Sequence, residues 1–177
     1  MEKNITEVYL IDTQHGENWY IEANAIAREM ADMSGLELIQ TAGIISALSC
    51  NSSWMRNLQA AWEFCRTGNT GHLQIALDKA QRVTKAKGKF EILDVLGSPK
   101  LQNFFLNIAY PDLDGPVTID RHAFNAARFG AKRVVDKTKV TPKRYEQTAN
   151  EYRKLAYELG LKPHVLQAIV WSNYINL

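Results

Sequence analysis

A nearly continuous apolar stretch at residues 36–48 constrains the fold more than any other feature of the sequence. Ile39, Ala42, Ile44, Ile45 and Leu48 recur there at helical spacing and leave hardly any polar face. A helix that is apolar nearly all round is stable only when other elements surround it. The stretch therefore predicts a buried central helix in a larger helical protein.

The other long segments also have helical spacing, and none alternates convincingly as a strand does. A stripe of Trp19, Ile21, Ala25, Ile26 and Met30 predicts a buried face on the first of them. The sequence thus predicts an all-α protein with N-caps at residues 51–53 and at Asp120, and Pro142 at a first helical position. Helices are expected at 17–33, 36–48, from 54 to a stop at 67–69, 73–85, a helical hairpin near 92–108, 121–129, 141–159 and 163–174.

Composition excludes several classes of protein. A chain of 177 residues with 46% hydrophobic and 23% charged residues can bury a core, unlike a disordered tail or a fibrous repeat. No apolar run approaches the roughly 20 residues of a membrane span, and early Glu2 and Glu7 do not suit a secretory signal. Cys50 and Cys65 are predicted to be buried, unbridged residues in a reducing cytoplasm.

Charge is distributed unevenly along the chain. Residues 1–78 have a balance of −6 and residues 79–177 a balance of +8, which suits an anionic partner such as DNA. The second half contains two dense basic segments, 79–89 and 121–144, and either could contact phosphate or be a solvated face. The candidate phosphate contacts are Lys79, Arg82, Lys85, Lys87, Lys89, Arg121, Lys132 and Arg133.

Three local strings resemble the helix-hairpin-helix DNA glycosylase superfamily, particularly its endonuclease III and adenine-glycosylase branch. Residues 38–49 are similar to the buried helix beside the DNA gap, and residues 96–107 resemble the hairpin and its second helix. Residues 117–124, Val-Thr-Ile-Asp-Arg-His-Ala-Phe, look like the segment with the catalytic aspartate. The chain also resembles short phage-encoded proteins with the same Ile-Asp-Arg-His-Ala-Phe string.

The resemblance implies one glycosylase-like domain over residues 1–177. Its expected lobes are 34–116 and 1–33 plus 117–177, and no iron-sulfur cluster is expected because the C-terminal cysteine set is absent. Asp120 matches the catalytic carboxylate, Lys100 matches the lysine nucleophile of bifunctional members, and Gly97 and Ser98 match the phosphate-binding hairpin. The expected base-pocket or gap-filling residues are Ser46, Leu48, Asn51, Trp54 and His122.

Each of these residues has a second interpretation. Asp120 could stabilise an oxocarbenium-like transition state, cap a helix, or do both. Lys100 could attack C1′ of the sugar and form a Schiff base, or simply face solvent or a phosphate. Trp54 could fill the gap of a flipped base or belong to the core, and His122 is expected to be a buried, hydrogen-bonded residue rather than a proton carrier.

The leading hypothesis is a DNA-binding, base-flipping enzyme that acts on an N-glycosidic bond in double-stranded DNA, with or without lyase activity. One alternative is a transferase that modifies a flipped base in phage DNA. Another is a noncatalytic DNA-binding or host-interference module. The sequence predicts a cytoplasmic protein with no cofactor and no membrane partner. No metal site is expected, because the histidines lack metal-like spacing.

Overall fold

The computed structural model describes residues 1–134, 136 and 138–177, and within them it contains ten α-helices and no strand. The prediction of an all-α protein is therefore confirmed. In chain order the helices are α1 (Glu2–Tyr9), α2 (Trp19–Ser34), α3 (Leu38–Ala47), α4 (Trp54–Thr67), α5 (Gln74–Val83), α6 (Lys89–Leu96), α7 (Pro99–Ala109), α8 (Arg121–Phe129), α9 (Pro142–Glu158) and α10 (Pro163–Ile175).

Several helices begin where the sequence has capping residues. The side chain of Ser53 accepts a hydrogen bond from Arg56 N at the start of α4, and that of Asp120 accepts one from Ala123 N at the start of α8. Pro142 occupies the first turn of α9 behind the N-cap Thr141. These caps satisfy amides that have no partner inside the helix, and they confirm the predicted starts.

Two helix predictions need correction. Helix α1 was not predicted, because in its eight residues only Ile5 and Val8 are buried, too few to produce a clear period. In α2, Ile21 is 60% exposed and Ala25 is also exposed, whereas Ala23, Ala27 and Met30 are buried. Small alanines form the buried face of α2, so the pattern of large apolar residues indicated the wrong phase.

The chain divides into two compact units. Unit 1 comprises Met1–Tyr20 and Asp112–Leu177, and unit 2 comprises Ile21–Pro111. Of the two lobes expected from the resemblance, the lobe at residues 34–116 covers most of unit 2. Helices α1, α8, α9 and α10 pack against one another in unit 1, and α3 contacts α4, α5, α6 and α7 in unit 2.

Helix α3 is the centre of unit 2, as its composition predicted. Ile44, Ile45 and Leu48 are fully buried. A Cβ added at Gly43 would lie 2.8 Å from Val83 Cγ1 and 3.0 Å from Ile92 Cγ2, so glycine allows α3 to approach these side chains of α5 and α6 closely. Glycine at position 43 therefore permits close packing of α3 against α5 and α6.

Both cysteines are free thiols and partly buried rather than fully buried as predicted. Cys50 follows α3 in a turn, and Cys65 lies in the last turn of α4, where neighbouring elements cover a side chain incompletely. Burial raises the pKa of the Cys65 thiol to about 11. In the described part of the chain, no helix combines the length and apolar character that crossing a membrane requires.

Candidate active site

The segment before Asp120 is fixed inside unit 1. Val117, Thr118 and Ile119 are buried. The hydroxyl of Tyr145 on α9 donates to Val117 O at 2.8 Å and accepts from Ile119 N at 3.2 Å. One buried hydroxyl thus satisfies two backbone groups of an extended segment, and it fixes the position from which Asp120 begins α8.

Both carboxylate oxygens of Asp120 accept hydrogen bonds. Oδ1 accepts from Ala123 N at 2.8 Å, and Oδ2 accepts from Trp171 Nε1 on α10 at 3.0 Å. The carboxylate is thus held by a backbone N–H of the first turn of α8 and by the indole N–H of α10. Asp120 is half-buried, and two helices hold the orientation of its carboxylate.

Tyr152 connects Asp120 to the core of unit 1. Its hydroxyl donates to Ala123 O at 3.0 Å, and its side chain is fully buried. Burial raises the pKa of Tyr152 well above its usual value, and the negative charge of Asp120 raises it further. Tyr152 therefore remains a neutral donor and holds the first turn of α8.

Trp171, which donates to the Asp120 carboxylate, belongs to a group of contacting rings. Trp171 lies edge-on to Trp19 with ring centroids 5.9 Å apart and edge-on to His122 with centroids 6.5 Å apart. His122 also lies 6.3 Å from the ring of Tyr174. Trp19 and Trp171 are half-buried and His122 is exposed. Asp120, His122, Trp19, Trp171 and Tyr174 are called the Asp120 site below.

His122 corrects one prediction, because it is exposed rather than buried. It lies on the first turn of α8, where the buried face is formed by Ala123, Phe124 and Ala127. Its neighbour Arg121 is exposed as well. The sequence predicted Trp19 only as part of a buried helix face and did not single out Trp171. No local pattern could have linked Trp171 to Asp120, since 51 residues separate them.

The predicted phosphate contacts of unit 1 are partly tied to the backbone. Lys132 and Arg133 are exposed, but Arg133 Nη1 donates to Ile175 O at 3.1 Å, near the end of α10. Tyr174 OH donates to Lys132 O at 3.1 Å. The basic segment 121–144 also includes Lys137, which lies outside the described residues. The segment that joins α8 to α9, called the connector below, is thus anchored at residues 132–134 along α10 beside the Asp120 site.

The predicted hairpin in unit 2 consists of α6, the two residues Gly97 and Ser98, and α7. Gly97 has φ +72° and ends α6, and the Ser98 side chain accepts from Leu101 N at the start of α7. Lys79 Nζ donates to Val95 O at 2.8 Å and to Leu96 O at 2.9 Å. Lys79 is thus bound to the end of α6, whereas Arg82, Lys85 and Lys87 are exposed and Lys100 is half-buried in the first turn of α7.

The predicted base-pocket residues of unit 2 do not share one environment. Ser46 and Leu48 are fully buried, and Ser46 Oγ donates to Leu101 O at 2.7 Å. Neither side chain presents a surface to a base in this structure. Asn51 is exposed with φ +54°, and half-buried Trp54 lies edge-on to Phe104 with centroids 6.4 Å apart.

Among the described residues, no three His, Cys, Asp or Glu side chains are grouped so that they could hold a metal ion.

Comparison with known proteins adds one assignment. No curated protein and no solved structure matches the chain. A family model described as a family of unknown function, DUF7178, matches residues 1–175, and the chain therefore belongs to that family.

Proposed function

We propose that this protein is a DNA-binding, base-flipping enzyme that cleaves an N-glycosidic bond, with a fold of the helix-hairpin-helix glycosylase type. The observation that carries the proposal is the Asp120 carboxylate, held by N–H donors from α8 and α10 beside half-buried aromatic rings. A flipped nucleobase stacks on aromatic rings, and a fixed carboxylate stabilises positive charge at C1′ of its sugar.

The proposed reaction is a hydrolysis. The bond between C1′ and the base nitrogen breaks with its electron pair on the base, and the hydroxyl of a water molecule joins C1′. The remaining proton of that water goes to the departing base, so the products are a free base and an abasic strand. Asp120 faces an oxocarbenium-like transition state and activates the water.

The surrounding residues support this role in different ways. Trp171 fixes the carboxylate through its indole N–H, and the ring offers a stacking surface next to it. Arg121 on the first turn of α8 and exposed Lys132 supply positive charge for phosphates. In unit 2, Lys100 is separately proposed as the nucleophile of a lyase step: its amine condenses with the C1′ aldehyde of the abasic sugar, releases water and forms a Schiff base, and loss of a C2′ proton then expels the 3′ phosphate.

The test compares the wild type with Asp120→Asn on oligonucleotides carrying normal, damaged and phage-type modified bases. Mass analysis of released base and strand should show base release by the wild type and a loss of about 10²-fold or more in the variant. Affinity for DNA should change by less than about twofold, because Asn is as good an N-cap as Asp.

Asp12→Asn is the matched control. Asp12 Oδ1 accepts from Gln14 N at 2.9 Å and His15 N at 3.1 Å, so its carboxylate also holds a turn in unit 1. This variant should release base at the wild-type rate. Equal turnover by the wild type and Asp120→Asn would overturn the assignment of Asp120.

The same oligonucleotides separate the alternatives. Mass added to the strand instead of base loss would favour a transferase, and DNA binding without any product would favour a noncatalytic module. Borohydride trapping on abasic DNA should give a covalent adduct that Lys100→Met abolishes. The absence of an adduct in the wild type would remove the lyase step and leave the hydrolysis intact.

A further inference from the structure

Phe90 is the most exposed aromatic side chain among the large hydrophobic residues of the described chain, with 75% of its surface accessible. It lies in the first turn of α6, whereas Ile92, two residues later, is fully buried. The ring therefore contributes little to the core of unit 2. The ring is therefore accessible to a partner.

One lysine contacts this ring, and two more precede it closely in the chain. Lys89 Nζ lies 5.1 Å from the centroid of Phe90 and 5.7 Å from that of half-buried Tyr110. Lys85 and Lys87 are exposed, and neither forms an ion pair with any carboxylate of the described residues. Lys85, Lys87, Lys89, Phe90 and Tyr110 are called the Phe90 patch below.

The backbone under the Phe90 patch is held in place. Gln40 Nε2 donates to Thr84 O at 3.0 Å and to Ala86 O at 3.2 Å, and Glu91 Oε2 accepts from Lys87 N at 2.9 Å. The Glu91 carboxylate is the acidic group of the 84–91 segment, against three lysines. The patch thus presents open side chains on a fixed turn, and such preorganisation lowers the entropic cost of binding.

We infer that the Phe90 patch binds a single-stranded stretch of DNA, with Phe90 stacked on an unpaired base and the lysines on adjacent phosphates. Proteins that bind single strands combine aromatic platforms with cations in this way. A membrane or a protein groove would be matched better by a contiguous apolar face, but within 84–91 the exposed large hydrophobic side chain is Phe90 alone. The inference rests on the proposed DNA partner and not on turnover.

The test measures binding of the full chain to a labelled single-stranded oligonucleotide of about a dozen nucleotides, and to the same strand annealed to its complement. Phe90→Ala should weaken binding to the single strand at least about fivefold, the low end for losing one stacked base. Its effect on the duplex should be less than about twofold. Phe90→Trp should retain the affinity, because the indole also stacks.

Salt dependence separates the ring from the lysines. Phe90→Ala should leave the slope of log affinity against log salt unchanged, whereas Lys87→Ala should reduce it by about 0.7 for a single strand. Ile75→Ala is the matched control, since Ile75 is 69% exposed on α5 of the same unit and should have no effect.

The outcomes distinguish this inference from the proposed function. Wild-type affinity in Phe90→Ala, or an equal loss on the duplex, would overturn the inference and leave the Asp120 proposal standing. Sedimentation with vesicles of anionic phospholipid that depends on Phe90, without a DNA effect, would also overturn it. A Phe90-dependent single-strand affinity in a protein that releases no base would support the inference and contradict the enzyme proposal.

Discussion

The Asp120 site of unit 1 and the Phe90 patch of unit 2 place polar and aromatic side chains together in opposite ways. Around Asp120 both carboxylate oxygens are engaged, and the rings of Trp19 and Trp171 are half covered by their neighbours. In the Phe90 patch a side-chain amide holds the backbone, but the Phe90 ring and two lysine side chains are exposed. The first arrangement fixes the orientation of a carboxylate, and the second leaves side chains exposed.

One basic segment of the sequence contains cations in both kinds of environment. Lys79 and Lys85 belong to the same basic segment, yet the Lys79 ammonium closes the end of α6 while Lys85 is exposed. In unit 1 the guanidinium of Arg133 donates to a carbonyl near the end of α10. Carbonyls at the ends of helices attract cations as phosphates do, so sequence alone cannot separate the two uses.

Truncating one aromatic residue in each region should show the contrast most strongly. Trp171→Ala removes a half-buried ring and the N–H that donates to Asp120, so the free energy of unfolding should fall by about 2–3 kcal/mol. Phe90→Ala should change it by less than about 0.5 kcal/mol, because the ring is exposed. Urea unfolding followed by circular dichroism measures both, and equal losses would contradict the distinction between the regions.

A smaller change tests what the indole N–H does for Asp120. Trp171→Phe keeps an aromatic ring and removes the donor to Oδ2, so the carboxylate loses one of its two restraints. Base release should slow by about tenfold, the equivalent of about 1.4 kcal/mol, while DNA affinity stays near that of the wild type. Trp19→Phe is the control. This variant keeps an aromatic ring for the edge-on contact with Trp171, so it should retain most of the rate.

Much of unit 2 and the start of α8 could be predicted from local sequence. The apolar run of α3, the N-caps Ser53 and Asp120, and Pro142 at the start of α9 are each specified within a few residues. Propensity and capping act over that range, which is why these elements were found. The short α1 was not, since its burial depends on residues far along the chain.

The candidate site was harder to predict, for the same reason. The string around Asp120 pointed to the carboxylate. The donor to that carboxylate, Trp171, comes from α10, and the Trp19 ring that contacts Trp171 comes from α2. His122 was expected to be buried and hydrogen-bonded, yet its side chain is exposed. Such contacts depend on how helices pack, and local sequence patterns do not reveal that packing.

Lys79 and Lys85 provide the next test, because one is bound and the other is open. Lys79→Met removes two charge-assisted hydrogen bonds at the end of α6 and should lower the free energy of unfolding by about 1–2 kcal/mol. Lys85→Met should leave stability unchanged and reduce the salt slope of DNA binding by about 0.7–0.9. A stable Lys79→Met protein with a reduced salt slope would show that Lys79 contacts phosphate instead.

The smallest expected effect concerns Asp136 in the connector of unit 1. Hydrogen bonds from the Thr138 hydroxyl and backbone N–H hold the pKa of Asp136 below its usual 3.8, and the charges of Arg128 and Arg144 lower it further. Because the folded pKa is depressed, the stabilisation is complete above the unfolded-state value and is lost as pH falls through the lowered folded value. The melting temperature of the wild type should therefore exceed that of Asp136→Asn slightly at pH 7, and the difference should shrink only below about pH 3.8. Thr138→Val removes the hydroxyl donor and should reduce the same difference, whereas a difference that does not change with pH would mean that the Asp136 charge contributes nothing to holding the connector.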